Sequence, residues 1–268
     1  MSKAYVETTV LTNLLLKPGS SKHAKAQAAL GRYESSLLPV YAIKEWKAGP
    51  LDHYAYVHDK LAVTRSLADT IGAITAIHPL SPYRKNTSLE ALEAAARLDA
   101  TAEPETGRDY RSRDEENADR YRLALASLIV RSWRKRRKIA KETIQDLECY
   151  TEAEPKIGKD GLFDLKPQKC ERDRECCLAE ALKAQPRLLE ALRKAIPETS
   201  AREEDRKRRR VLKQLINTPK KPLDRDQCRA LGDAIFAFFC PADAVVLTTN
   251  IKDHKPLAEA IGKSAEAP

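Results

Sequence analysis

"KAYVETTVLTNLLLKP", residues 3–18, decides how the chain is read. Ala4 to Val6 is a short apolar run that suits a buried strand, and the acid Glu7 stands at its carboxyl end. Leucines at 11, 14, 15 and 16 then fall at helical spacing until Pro18-Gly19 stops them. A carboxylate at that junction has two readings. It is a helix cap or solvated surface acid, or it is a metal ligand at the mouth of a sheet.

The same grammar recurs. In "SLLPVYAIKEWKAG", residues 36–49, Leu37 to Tyr41 predicts a second strand, and a helix from Ile43 carries Glu45. In "KPLDRDQCRALGDAIFAFFC", residues 221–240, turn chemistry leads into an apolar helix that carries Asp233. Ala244 to Leu247 is a continuous apolar run, as a strand buried on both faces requires. It ends in "TTN", and "IKDHKPLAEAIG" begins another helix with Asp253 near its start. Strands alternating with helices imply an α/β fold with a short parallel sheet.

The middle of the chain reads differently. From about Asp52 to Ile216 the periodicity predicts helices and little else. They cover Tyr54 to Ile77, a segment through Leu98 capped by Thr87 with Glu90, Asp114 to Cys149, Asp173 to Ile196, and a last one capped by Ser200 with Glu203. Ser20 or Ser21 is expected to cap the second helix. The expected organisation is an α/β domain built from residues 1–55 and 217–268, interrupted by a basic, mainly helical insertion over residues 56–216.

With 268 residues and 42% hydrophobic content, the chain can bury a sizeable core. Its net charge of +9 points to a polyanion partner, because Lys and Arg release counterions from a phosphate backbone. No segment approaches the ~20 apolar residues of a membrane span. Six cysteines without an export signal are expected to be reduced, which favours a cytoplasmic setting.

In open α/β sheets ligands sit beyond the carboxyl ends of the strands. Glu7, Glu45, Asp233 and Asp253 all fall there or on helices starting nearby. Clustered carboxylates repel one another, and a hard divalent cation reconciles them. Each acid taken singly is also what a helix start favours, and Asp243 in "PADAVV" reads as a turn acid.

These segments together resemble the PIN-domain nucleases. "YVETTVL" is similar to that family's opening motif, "VYAIKEW" to its second-strand segment, "LDRDQCRALGDAIFAFF" to its third-acid segment and "AVVLTTNIKDHKPLAEAIG" to its last motif. The resemblance covers roughly residues 1–55 and 217–263. It implies a three-layer α/β/α fold and a metal-dependent ribonuclease in which Glu7, Glu45 and Asp233 hold Mg²⁺ or Mn²⁺. Asp253 or Asn250 assists, and Thr8, Thr9 and Thr248 support the carboxylates or a phosphate. Two departures stand out: Glu7 occupies a position usually held by Asp, and Asn250 stands where a fourth acid is usual. A toxin with a protein antitoxin is one setting the family implies, and an RNA-processing or defence nuclease is another.

"RSWRKRRK", residues 131–138, carries six positive charges around Trp133, and "DRKRRR", residues 205–210, carries five. Arg131, Arg134, Lys135, Arg136, Arg137, Lys138, Arg208 and Arg209 are therefore candidate contacts to RNA or single-stranded DNA. The alternative is a solvated helix face. Trp133 lies on the apolar helical stripe, which favours the core over base stacking. Cys149, Cys170, Cys176 and Cys177 match no zinc spacing, and His53 and His58 read as surface residues. Two functions remain: a Mg²⁺- or Mn²⁺-dependent endoribonuclease, or a degenerate scaffold of the same fold that binds nucleic acid or a protein partner without cleavage. The insertion serves equally as a dimerisation or partner-docking surface.

Overall fold

The computed structural model describes residues 2–79, 81–100, 109–145, 150, 153–165, 177–218 and 223–268, without the side chains of Cys177 and Arg225. Its centre is a five-stranded, all-parallel sheet in the order β3–β2–β1–β6–β7. β1 (Lys3–Val6) lies in the middle, with Lys3 opposite Ser35 of β2 (Ser35–Pro39) on one side and opposite Ala244 of β6 (Ala244–Leu247) on the other. β3 (Glu142–Ile144) and β7 (Ser264–Glu266) form the edges. The two central strands are apolar on both faces, because helices cover both, so their sequences run apolar without alternation. The chain is thus α/β, with most of its residues helical.

The helices follow from local chemistry. Glu7 N-caps α1 (Thr8–Leu16) by accepting the amide of Thr9 at 2.9 Å. Gly19 takes φ +72 in the turn that follows, and Ser20 caps α2 (Ser21–Leu30). β2 ends two residues before the expected Tyr41. Pro39 is the last strand residue and α3 (Val40–Trp46) starts at once. A π-helical turn, Lys47–Leu51, contains Pro50, whose missing N–H breaks the regular ladder, and α4 (Asp52–Thr64) continues from it. The expected helix Tyr54 to Ile77 is two: Arg65, with φ +53, ends α4, and Ser66 caps α5 (Leu67–Thr75).

In the middle segment α6 (Pro82–Asp99) and α7 (Arg113–Ile139) pack against α4, and α7 also meets α1 and β2. Thr87 is buried inside α6 and does not cap it. α7 begins with Asp114, Glu115 and Glu116 and ends with Arg136, Arg137 and Lys138, a charge order that complements the helix dipole. It stops at Ile139, short of the expected Cys149, and its exit forms β3 beside β2. Ser36 Oγ donates to the Ile139 carbonyl at 2.6 Å, and the Lys141 amide donates to Ser36. The middle segment therefore contributes a strand to the sheet, as well as the antiparallel pair β4 (Lys156–Ile157) and β5 (Phe163–Asp164).

α8 (Cys177–Lys183) and α9 (Pro186–Ala195) are separate, since Pro186 must open a helix rather than continue one. Ser200 does not cap α10 (Glu203–Asn217); its hydroxyl donates to Asp205 at 2.7 Å. Asp224 and Gln227 form a capping box on α11 (Arg225–Phe239), and α12 (Ile251–Ala260) follows β6. One continuous apolar core runs from the sheet into the middle helices, where Trp46 of α3 stacks on Trp133 of α7 at 6.1 Å. The chain positions 55/56 and 216/217 fall inside α4 and α10, not between elements. Among the described residues no helix is long and apolar enough to cross a membrane.

Candidate active site

Three acids meet at the carboxyl edge of the central strands. Glu7 follows β1, Glu45 lies on α3, and Asp233 lies on α11, each within electrostatic reach of the others. Glu7 is only 4% exposed. Its Oε2 accepts from the Thr9 amide, from the Thr9 hydroxyl, and from the Thr248 hydroxyl at 3.0 Å. Thr8 donates its hydroxyl to Glu45 Oε2 at 2.8 Å, and Tyr41 also hydrogen-bonds Glu45. α11 closes in from the other side: a Cβ added to Gly232 would sit 3.3 Å from Glu45 Oε1. A side chain there would press on the Glu45 carboxylate, so the glycine lets α11 come close without displacing it.

Among the described residues the hydrogen-bond partners of Glu45 are hydroxyls, not basic side chains. Burial, and then the charge of Glu7, push its carboxyl up to about 7 against the bonds from Thr8 and Tyr41. Burial likewise raises Glu7, outweighing the charge of His254 and the bonds from Thr9. Asp233 behaves oppositely. Burial pushes it up, but the hydrogen bond from His254 and the charge of Arg208 carry it below its ordinary value. His254 Nε2 lies 3.2 Å from Asp233 Oδ1, and the Arg208 guanidinium donates to Oδ2. His254 is itself 1% exposed, packs edge-on against Phe236 at 5.6 Å and has a buried Nδ1 with no hydrogen-bond partner among the described residues.

The remaining acid, Asp253, stands apart. Arg202 grips it with both guanidinium nitrogens and the Asn250 amide donates to it at 2.7 Å, so the Arg202 bond holds its carboxyl down at about 2. Asn250 also donates its backbone N–H to the Thr248 hydroxyl at 2.9 Å, which joins this group to Glu7. Sequence reading found the acids and threonines but missed His254 and Tyr41, and it read Arg208 as a nucleic-acid contact where the structure puts it on Asp233. Arg208 sits within a charge run that reads as solvated, and His254 is one residue past the acid that drew attention.

The basic residues divide. Arg131, Arg134, Lys135 and Lys138 are exposed along one face of α7, and Arg137 is exposed beside them. Arg134 lies 3.6 Å from Glu154. Arg136 is not a surface contact: it is buried, with its guanidinium 3.5 Å over the Trp133 ring and a bond to the Trp133 carbonyl. Trp133 is core. Arg208 is buried on Asp233, and Arg209 is spent on the carbonyls of Arg193 and Ile196 and on Glu198. His58 is fully buried against Asp59 and Phe163, and His53 is half-buried against Tyr83. Cys149, Cys170, Cys176 and the side chain of Cys177 lie outside the described residues.

Glu7 and Glu45 fit a divalent cation in kind: hard oxygens, close together, whose mutual repulsion a cation would relieve. Asp233 is already neutralised from the other side, and among the described residues no group of three His, Cys, Asp or Glu side chains is arranged to hold a metal ion. No family model, curated protein or solved structure matches the chain.

Proposed function

We propose that the chain is a Mg²⁺- or Mn²⁺-dependent endoribonuclease with a PIN-like α/β/α core. The reading is carried by one observation: buried Glu7 and half-buried Glu45, whose charges repel, at the carboxyl edge of a parallel sheet. Ligands of open α/β sheets bind at that edge. Mg²⁺ is commonly held by one or two carboxylates, with waters and phosphate oxygens completing its shell.

Glu7 and Glu45 would hold the ion, which when bound supplies a water of lowered pKa and positive charge for the reacting phosphodiester. The chain's own residues orient and hold charge. The Thr9 amide and the Thr9 and Thr248 hydroxyls fix Oε2 of Glu7, and Thr8 fixes Oε2 of Glu45. Arg208 and His254 keep Asp233 ionised beside the pair. The exposed α7 face, Arg131, Lys135 and Lys138, supplies phosphate-backbone contacts for RNA.

The test is cleavage of a mixed panel of RNA and single-stranded DNA with Mg²⁺, Mn²⁺ or EDTA. Glu7→Gln and Glu45→Gln are expected to lose several kcal/mol of transition-state stabilisation, a fall of at least about 100-fold in rate. Cleavage that persists in both variants or in EDTA overturns the assignment. Replacing Arg131, Lys135 and Lys138 with Ala should flatten the salt dependence of RNA binding, by about 0.7 in slope for each phosphate no longer neutralised.

The capture of Asp233 by Arg208 and His254 favours a second reading, a scaffold that binds RNA or a protein partner and cuts nothing. Binding without cleavage under every metal condition decides for it.

A further inference from the structure

Four large apolar side chains are exposed among the described residues, and Tyr83 is the aromatic one, at 58%. A tyrosine in solvent is ordinary. The position of this one is not. It lies on the first turn of α6 and hydrogen-bonds Thr87. Its ring packs edge-on against His53 at 5.4 Å. Its Oη lies 3.9 Å from where a Cβ on Gly49 would be, in the π-helical turn four residues beyond Glu45. The charges of both Glu7 and Glu45 act on its hydroxyl. The ring is thus pinned at its edge and hydroxyl, open to solvent, and at the lip of the acid site.

Cations flank it. Arg84, the next residue, is exposed and held over the Tyr56 ring at 4.4 Å, and Arg229 of α11 is exposed; both act on His53. A carboxylate pair by itself repels a phosphodiester, so a polyanion needs such cations at the rim to approach. An aromatic face beside cations is the combination that binds unpaired nucleotides: bases stack on the ring and phosphates meet the guanidinium groups. In a duplex both faces of each base are already stacked.

We infer that Tyr83 is the stacking residue of this site: its ring seats an unpaired nucleobase so that the adjoining phosphodiester lies at Glu7 and Glu45. The substrate class is single-stranded RNA, and the inference rests on the nuclease reading above. Tyr83 belongs to the middle segment, so that segment completes the site rather than merely adjoining it.

The test is binding in EDTA, where no cleavage intervenes, of a fluorescein-labelled single-stranded RNA and of the same sequence as a duplex, followed by anisotropy. Tyr83→Ala should weaken single-strand binding by about 5- to 150-fold, the equivalent of one stacked base, and leave duplex binding unchanged. Tyr83→Phe, which keeps the ring, should restore affinity to within about two-fold. An abasic single strand should erase the difference between wild type and Tyr83→Ala. Equal single-strand binding by Tyr83→Ala and wild type, or an equal loss on single strand and duplex, overturns the inference, as does a wild-type protein that binds no single-stranded RNA. Glu7→Gln and Glu45→Gln that still cleave would remove the acid assignment and leave the Tyr83 binding result standing, so the two failures are separable.

Discussion

Glu7 with Glu45, and Asp233 with Asp253, are four acids at one edge of one sheet, held in opposite ways. The first pair is surrounded by hydroxyls and a backbone amide, with burial lifting both carboxyls and the charge of Glu7 lifting Glu45 further. The second pair is matched by cations from the middle segment, Arg208 and Arg202, and by His254, and both carboxyls are lowered. The difference teaches where free energy is stored. The matched half stabilises the fold, whereas the unmatched half costs stability that a bound cation would recover.

Asp233→Asn should break the matched half most severely. Arg208, 7% exposed, would face a neutral amide and keep only Asp205, 3.6 Å away, whereas removing one partner of an isolated buried pair costs about 3–5 kcal/mol. Asp233 keeps 21% side-chain exposure, so a loss of about 2–3 kcal/mol in urea unfolding is expected. Glu45→Gln should do the reverse in EDTA at neutral pH. It removes a half-buried charge from beside Glu7, so stability should hold or rise by up to about 1 kcal/mol even though the proposed cleavage is lost. A large loss in Glu45→Gln would abolish the distinction between the halves.

As pH falls the raised carboxyls of the unmatched half take up protons first, and the stability that acid removes is that of the matched half. The Asp253 carboxyl sits at about 2 in the folded chain and near 3.9 in an unfolded one. A depressed carboxyl contributes stability above about pH 4 that is lost as pH falls toward 2. Arg202 is 52% exposed, so the amount is no more than about 1 kcal/mol. Arg202→Ala should remove that part of the slope in urea midpoints between pH 5 and 2. The smallest effect belongs to Gly232→Ala, where the two halves touch. Alanine favours the helix by about 1 kcal/mol, but its Cβ must displace the Glu45 carboxylate by a few tenths of an ångström. The melting temperature should hold or rise while cleavage slows.

Much of the sheet was legible in the sequence because buried parallel strands read as apolar runs: Ala4–Val6 and Ala244–Leu247 lie where those runs predict them. β3 was not legible, since three residues with two of them exposed carry no apolar period. Nor was the break at Arg65, where a non-glycine residue takes a left-handed conformation that periodicity does not mark. At the site, the unmatched acids were readable because Glu7 stands at the end of a strand and Glu45 lies on the short helix that follows the next one. Their matched counterparts were readable as acids but not as ion pairs. Arg208 is 25 residues from Asp233, and nothing in "DRKRRR" separates its buried guanidinium from the more exposed neighbours.

The stack of Trp46 on Trp133 gives the chain an optical signature. These are its two tryptophans, 6.1 Å apart and 8° from parallel, one adjoining Glu45 and the other on the long helix of the middle segment. Indoles that close share their excited states, so the folded protein should show an exciton couplet in circular dichroism, with fluorescence modulated by the nearby Arg136 and Lys47 cations. The couplet reports only the joint between α3 and α7. A change in it on adding Mn²⁺ or RNA would reveal, without any label, that what happens at Glu45 is felt by the helices beyond the sheet.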